Sequence, residues 1–331
     1  MAATLPEARV LGIDVSEASL TISRQAAEAH GLENLELMQR PLESVPELGR
    51  DFDYIECHGV LHHLAAPEAG LQALARVTRP AGALSVMVYA QHGRQGIHLL
   101  QTLCQRLGLQ PDEAGVERAQ TLLTQLPDNH PFARVHADPS QRVSLEEVAD
   151  MLLHPRERCY TVDALRSFIE AAGLRLHRWL PQAEYSLPPA LQDIAPLGAE
   201  VWAQASAAEL FFGTHLKHRF VLTHPARASA AELFDGALFA QAVPSLSPQL
   251  QAQPQGDQVY LRHEGHQLPL AFVADPREVA PYLRLVDGQQ SIEALAAQLH
   301  AQGHVSSAAH ALERYRALYR ADLLEMHCAL G

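Results

Sequence analysis

Residues 9–14 (RVLGID) form a short apolar run that ends on an acid, which predicts a strand. Ser16 then suits a helix N-cap, Glu17 suits the positive helix end, and Gly31 can stop the helix in a left-handed conformation. Leu20, Ile22, Ala26 and Ala27 are expected to supply the buried side of that helix. Residues 35–38 and 54–57 read as two further strands. Residues 67–77 read as a helix with Leu71, Leu74 and Ala75 at helical spacing, Pro80-Ala81-Gly82 as a turn, and residues 83–89 (ALSVMVY) as a fourth strand. Such alternation predicts a parallel sheet with helices on both faces.

From residue 92 to about 158 the pattern changes to helices broken by prolines, as in a cap over one end of the sheet. A helix over 161–172 follows, with Val162, Leu165, Phe168 and Ile169 on one face and Gly173 as its stop. Strands are expected at 174–180 and 219–223, around a helical insert near 191–210. Residues 226–256 are rich in Ala, Gln, Pro and Ser and read as a linker. Residues 258–272 alternate like a hairpin, and 279–285, 291–299 and 308–324 look helical.

Composition narrows the function classes. Lys and Arg number 25 against 38 Asp and Glu, a net charge of −13, which repels phosphate backbones and makes nucleic acid a poor default partner. Cys57, Cys104, Cys159 and Cys328 form no CxxC pair, against a zinc knuckle or a disulfide framework. No signal peptide or membrane-crossing run is visible, so a cytoplasmic protein without membrane attachment is expected. The 19 histidines are scattered and mostly read as surface residues.

The order of these signals resembles class I S-adenosylmethionine-dependent methyltransferases, specifically the bacterial group with a VLHHL-type turn. Residues 10–16 (VLGIDVS) look like that family's second strand and acidic loop. Residues 52–64 (FDYIECHGVLHHL) look like its fourth strand and turn, and 74–89 (LARVTRPAGALSVMVY) like its following helix, turn and fifth strand. The resemblance is strong to residue 89 and weaker to about 225. It implies an α/β, Rossmann-like sheet over 1–90, a helical cap over 91–160, and the remainder of the domain over 161–225. It also implies S-adenosyl-L-methionine as cofactor.

In the family, the ribose-binding acid sits at the position of Asp14, with Val15 beside it, because ligands lie outside the carboxyl ends of parallel strands. Asp14 equally suits capping the next helix. Cys57, His58 and Gly59 fall where the family lines its cofactor pocket, and Gly59 would let backbone approach a ligand. His62 and His63 are candidates for a general base near neutral pH, although the pair equally suits shaping the turn. His58, His62 and His63 have no carboxylate at recognisable spacing, so no metal site is expected. Tyr89 and Arg94 are candidates to face a substrate, while Gly93 and Gly96 can simply shape the loop. Methyl transfer needs alignment of an acceptor, plus a base where the acceptor carries a proton.

Two departures stand out. The family's first strand and glycine-rich donor loop are absent before residue 9, which reads as an amino-terminal truncation. That strand is central in the family's sheet, so its loss leaves two unpaired edges. Pro41 stands where the family commonly has an acid near the adenine amine. The expected function is methyl transfer to a small molecule or a protein side chain, impaired by the missing donor loop. The alternative is a non-catalytic binding protein on a degenerate methyltransferase core.

The last segment, 257–331, resembles small winged-helix modules, with Asp287-Gly288 as a turn and Ser291 as a cap. This implies a small α+β domain and a protein partner or homodimer, through that module or the open sheet edge.

Overall fold

The computed structural model describes residues 1–135, 143–188, 191, 200–227, 237–247, 250–255, 258–263, 276–320 and 322–327. Strand β1 (Val10–Asp14) pairs in parallel with β2 (Leu35–Gln39), and α1 (Glu17–Ala29) connects them. Ser16 caps α1 by accepting from the Ser19 amide, and Gly31 follows with φ +62°. The expected buried side of α1 is thinner than its sequence suggested. Leu20 is buried, whereas Ile22 and Ala26 are exposed, because a two-stranded sheet offers the helix little surface.

Strands β3 (Phe52–His58), β4 (Thr78–Tyr89), β5 (Arg175–Trp179) and β6 (Lys217–Thr223) form a second sheet in the order β3-β4-β6-β5. β3 and β4 run parallel, joined by a 3-10 turn at Leu61–His63 and by α2 (Pro67–Val77). Proline at the start of α2 fits a position where the helix has no amide partner to lose. β6 runs antiparallel to both β4 and β5. The expected turn at Pro80-Ala81-Gly82 is instead a bulge within β4. Phe52 pairs with Thr78 and Tyr54 already with Ala83, so the intervening residues loop out of register.

Leu84, Val86 and Val88 of β4 are fully buried against α2 and α7 (Val162–Ala171), with Leu165, Ile169, Phe220 and Trp179 in the same core. The side-chain period of a strand sends Ser85, Met87 and Tyr89 to the other face, where Ser85 meets His58 and Tyr89 meets Asp150. Among the described residues, β1 and β3 each have one hydrogen-bonded neighbour, so each presents a free edge.

The proline-broken segment forms α3 (Gln95–Arg106), α4 (Glu113–Thr124), α5 (Pro131–Val135) and α6 (Leu145–Leu153). These pack on a core of their own around Ile97, Leu100, Ala119, Phe132 and Val148. Two glycines admit this packing. A Cβ on Gly93 would come 2.2 Å from the His215 carbonyl, and one on Gly96 2.2 Å from the Phe132 amide. Helix α8 (Val201–Phe212) lies in the region expected as a helical insert; residues 192–199 of that insert lie outside the described residues.

A third core joins α9 (Ala237–Gln241), α10 (Pro276–Leu283), α11 (Ile292–Ala301) and α12 (Ala308–Arg320). β10 (Leu324–His327) pairs antiparallel with β7 (Val243–Leu246). Phe239 and β7 come from the stretch read as a linker, so the carboxyl-terminal module reaches back into it. A hairpin of β8 (Leu250–Gln255) and β9 (Gln258–His263) precedes α10; residues 264–272 of the expected hairpin lie outside the described residues.

Candidate functional site

Asp14 ends β1. Its Oδ1 accepts from the Ser16 amide at 2.8 Å, and its Oδ2 has no partner among the described residues. A carboxylate at the carboxyl end of a parallel strand, with an oxygen to spare, fits the ribose-hydroxyl role. The same bond also serves the turn into α1. Val15 beside it is 66% exposed, so one wall of this corner is open.

The carboxyl end of β3 provides the other candidate wall. Cys57 is buried, and desolvation pushes its thiol up to about 12, which disfavours a thiolate at neutral pH. His58 points to the opposite face: Nε2 lies 2.8 Å from Ser85 Oγ and Nδ1 3.1 Å from Glu56. Burial lowers its pKa against the opposing pull of Glu56. Gly59 has φ +78°, a left-handed value that suits glycine, and its amide donates to the Met87 carbonyl at 3.3 Å.

The two histidines of the turn differ sharply. His62 is fully buried, 3.9 Å from the Tyr89 ring and 4.2 Å from His63, centroid to centroid. Neither of its ring nitrogens has a hydrogen-bond partner among the described residues. Burial, helped by the neighbouring His63, lowers its pKa to about 3. An imidazole this weakly basic is a poor proton acceptor near neutral pH, which weighs against the general-base expectation for His62. His63 lies nearer the surface, with Nδ1 2.9 Å from the Arg156 carbonyl and Nε2 3.6 Å from Asp150.

Tyr89 and Arg94 are engaged with the cap. The Tyr89 hydroxyl donates to Asp150 at 2.7 Å, and the Arg94 guanidinium lies 3.6 Å over the Tyr89 ring. Arg94 also forms a buried two-point pair with Glu157. Residues 157–160 reach this position because Tyr160 bridges the end of β4: its amide donates to Tyr89 and its carbonyl accepts from Gln91.

Asp150, His154, Glu157, Cys159 and His98 were not legible as site residues. They come from the cap, which brings them together in two groups, His63–Asp150–His154 and His98–Glu157–Cys159. Each group contains the carboxylate that sequence spacing failed to supply. The four-residue interval between Asp150 and His154 was the available signal. A shallow depression bounded by Gln72, Arg76, Gly173 and His224 involves none of these residues.

A strand-end acid, a parallel β3–β4 pair and a helical cap over its carboxyl end form a mixed α/β arrangement like the Rossmann-like fold of methyltransferases. Residues 1–125 match the family model described as Methyltransferase domain. The solved structure of PKMT2 from Rickettsia typhi is similar in fold over 100% of this chain and 68% of its own, with TM-score 0.68 and 15% identity. The same protein in complex with AdoHcy gives TM-score 0.66 at 16% identity, over 99% of this chain and 68% of that one.

An uncharacterised protein of Synechococcus sp. is 33% identical over 205 residues, 57% of this chain and 48% of its own. The tRNA 5-carboxymethoxyuridine methyltransferase of Escherichia coli is 37% identical over 87 residues, 26% of this chain and 33% of its own. The chain thus spans about half the length of the first of these curated relatives and a third of the second. Among the described residues no helix is long and apolar enough to cross a membrane.

Proposed function

We propose that this chain takes part in S-adenosylmethionine-dependent methyl transfer to a small molecule or a protein side chain. The observation that carries this reading is Asp14, placed at the carboxyl end of a parallel strand with Oδ2 unpartnered. Asp14 accepts the ribose hydroxyls of the donor, Val15 borders the same corner, and the Cys57–Gly59 end of β3 lines the pocket. The donor supplies an activated sulfonium methyl, so the protein's share is alignment and exclusion of water. His63, Tyr89 and Arg94 stand on the acceptor side, where the cap meets the sheet. The net charge of −13 disfavours a nucleic-acid acceptor. A protein partner or a second copy would meet the free edges of β1 and β3 or the carboxyl-terminal module.

Calorimetric titration of the chain with S-adenosylhomocysteine tests the reading. The expected result is binding that weakens at least about tenfold in Asp14→Ala, the loss of hydrogen bonds to a charged group. A folded chain that binds no donor overturns it in favour of a non-catalytic binding protein, and donor binding indifferent to Asp14→Ala overturns the role given to Asp14.

A further inference from the structure

Asp150 and His154 stand four residues apart at the carboxyl end of α6, and so project from the same side of its last turn. His63, from the turn after β3, meets them. The His63 and His154 rings lie 3.9 Å apart between centroids, and His63 Nε2 is 3.6 Å from Asp150 Oδ1. One potential ligand atom from each of the three residues falls within 4.8 Å of the other two.

The groups behind these ligands are also in place. A histidine that ligates through one ring nitrogen needs the other protonated and held. His63 Nδ1 lies 2.9 Å from the Arg156 carbonyl, and His154 Nδ1 lies 2.6 Å from the same oxygen. The Arg156 amide also donates to His154 Nδ1, at 3.1 Å, so metal binding selects the tautomer in which that nitrogen gives up this bond and donates to the nearer carbonyl. With both Nδ1–H groups donating to that carbonyl, each Nε2 keeps its lone pair. Asp150 is oriented through Oδ2, which accepts from the Tyr89 hydroxyl.

We propose that His63, Asp150 and His154 form a binding site for one divalent transition-metal ion of the zinc class, at the junction of the sheet and the helical cap. Two imidazoles and one carboxylate suit zinc and its neighbours, whereas magnesium and calcium call for more oxygen ligands. Three protein ligands leave a position open for water or a substrate atom. Bonds of about 2.0–2.1 Å place tetrahedral ligand atoms about 3.3 Å apart, so the three groups close by roughly 1 Å or somewhat more. Asp150, 49% exposed, is free to make most of that movement. The bound ion ties α6 to the carboxyl end of β3. The neighbouring His98–Glu157–Cys159 group is a poorer site, because Glu157 is already committed to Arg94 through two hydrogen bonds.

The test is a Co²⁺ titration of the full chain without a polyhistidine tag, read by ligand-field absorption and by displacement with Zn²⁺. The chain carries 19 histidines, so variants must separate this site from weak binding elsewhere. The expected result is one tight equivalent, weakened at least about tenfold by His154→Ala and by Asp150→Asn and unchanged by His98→Ala. Absence of a tight equivalent overturns the proposal, as does equal affinity in the wild type and these two variants, or a loss confined to His98→Ala. If His154→Ala fails to fold, the exposed and nearly isosteric Asp150→Asn carries the test alone. Metal binding is read without the methyl donor, so its outcome is independent of the role of Asp14.

Discussion

Arg94 and Glu157 face each other through two hydrogen bonds, Nε to Oε1 at 3.2 Å and Nη2 to Oε2 at 2.8 Å, with both side chains less than a tenth exposed. Arg94 stands at the start of the cap's first helix, and Glu157 lies on the segment that returns from the cap to the sheet. The pair therefore fastens the cap at both ends. Glu157→Ala leaves a buried guanidinium without its partner and is expected to cost about 3–5 kcal/mol in urea unfolding. Arg94→Met combined with Glu157→Leu removes both charges and is expected to cost less than the single change. A double variant as unstable as the sum of its parts would contradict this account.

Acid should loosen the same region in two stages. His62 has a folded pKa of about 3 and His215 one of about 4, both lowered first by burial from 6.5. Below pH 6.5 the unfolded chain binds protons that these folded residues refuse, so stability falls as pH drops toward 4. Glu157 behaves differently. Burial alone would raise its pKa, but hydrogen bonding to His98, the Arg94 charge and the Cys159 thiol outweigh burial and hold it at about 2. Its contribution is present above 4.5 and lost as pH falls toward 2. Tm measured between pH 7 and 4.5 should therefore decline, and His62→Phe should make that slope shallower while leaving the part of the loss below 4.5 that belongs to Glu157.

Much of the framework was legible because it is local. The Ser16 cap, the α2 span and the Asp287–Ser291 turn and cap follow from residues a few positions apart. The strand-end acid was legible through the family resemblance. The chemistry of the histidine turn was not. Tyr89 meets Asp150 across 61 residues and Arg94 meets Glu157 across 63, and no periodicity encodes such encounters. His62 and His63 are identical neighbours in sequence, yet one is sealed beneath Tyr89 and the other reaches the cap. That difference is set by which face of the turn the cap covers.

The free strand edges carry their own prediction. β4 is hydrogen-bonded on both sides, while β1 and β3 are paired on one side among the described residues. Amides on an unpaired edge open without breaking a ladder, so they exchange at low cost. Hydrogen exchange followed by mass spectrometry should show peptides from β1 and β3 exchanging well before those from β4 and β6. Equal protection of β3 and β4 would mean that the edge is covered in solution.

A buried relay beneath the sheet offers a test of coupling. His218 is fully buried, with Nδ1 2.9 Å from the Tyr185 hydroxyl and Nε2 3.1 Å from the Tyr160 carbonyl. Glu209 Oε1 lies 3.3 Å from the same Nε2, and Oε2 accepts from the Val162 amide at 2.8 Å, where α7 begins. Trp179 stacks on Tyr185 at 4.0 Å, so the network cannot relax toward solvent. His218→Leu strands the Tyr185 hydroxyl and removes the nearest counter-group from a buried carboxylate, and should cost about 2–4 kcal/mol. Glu209→Gln keeps an oxygen for Val162 but loses the charge, and should cost about 1 kcal/mol. Once His218 is leucine, neutralising Glu209 removes a penalty instead of adding one. The double variant should then be more stable than the sum of the single costs by about 1 kcal/mol or more in denaturant unfolding. Strict additivity would show that His218 and Glu209 act independently.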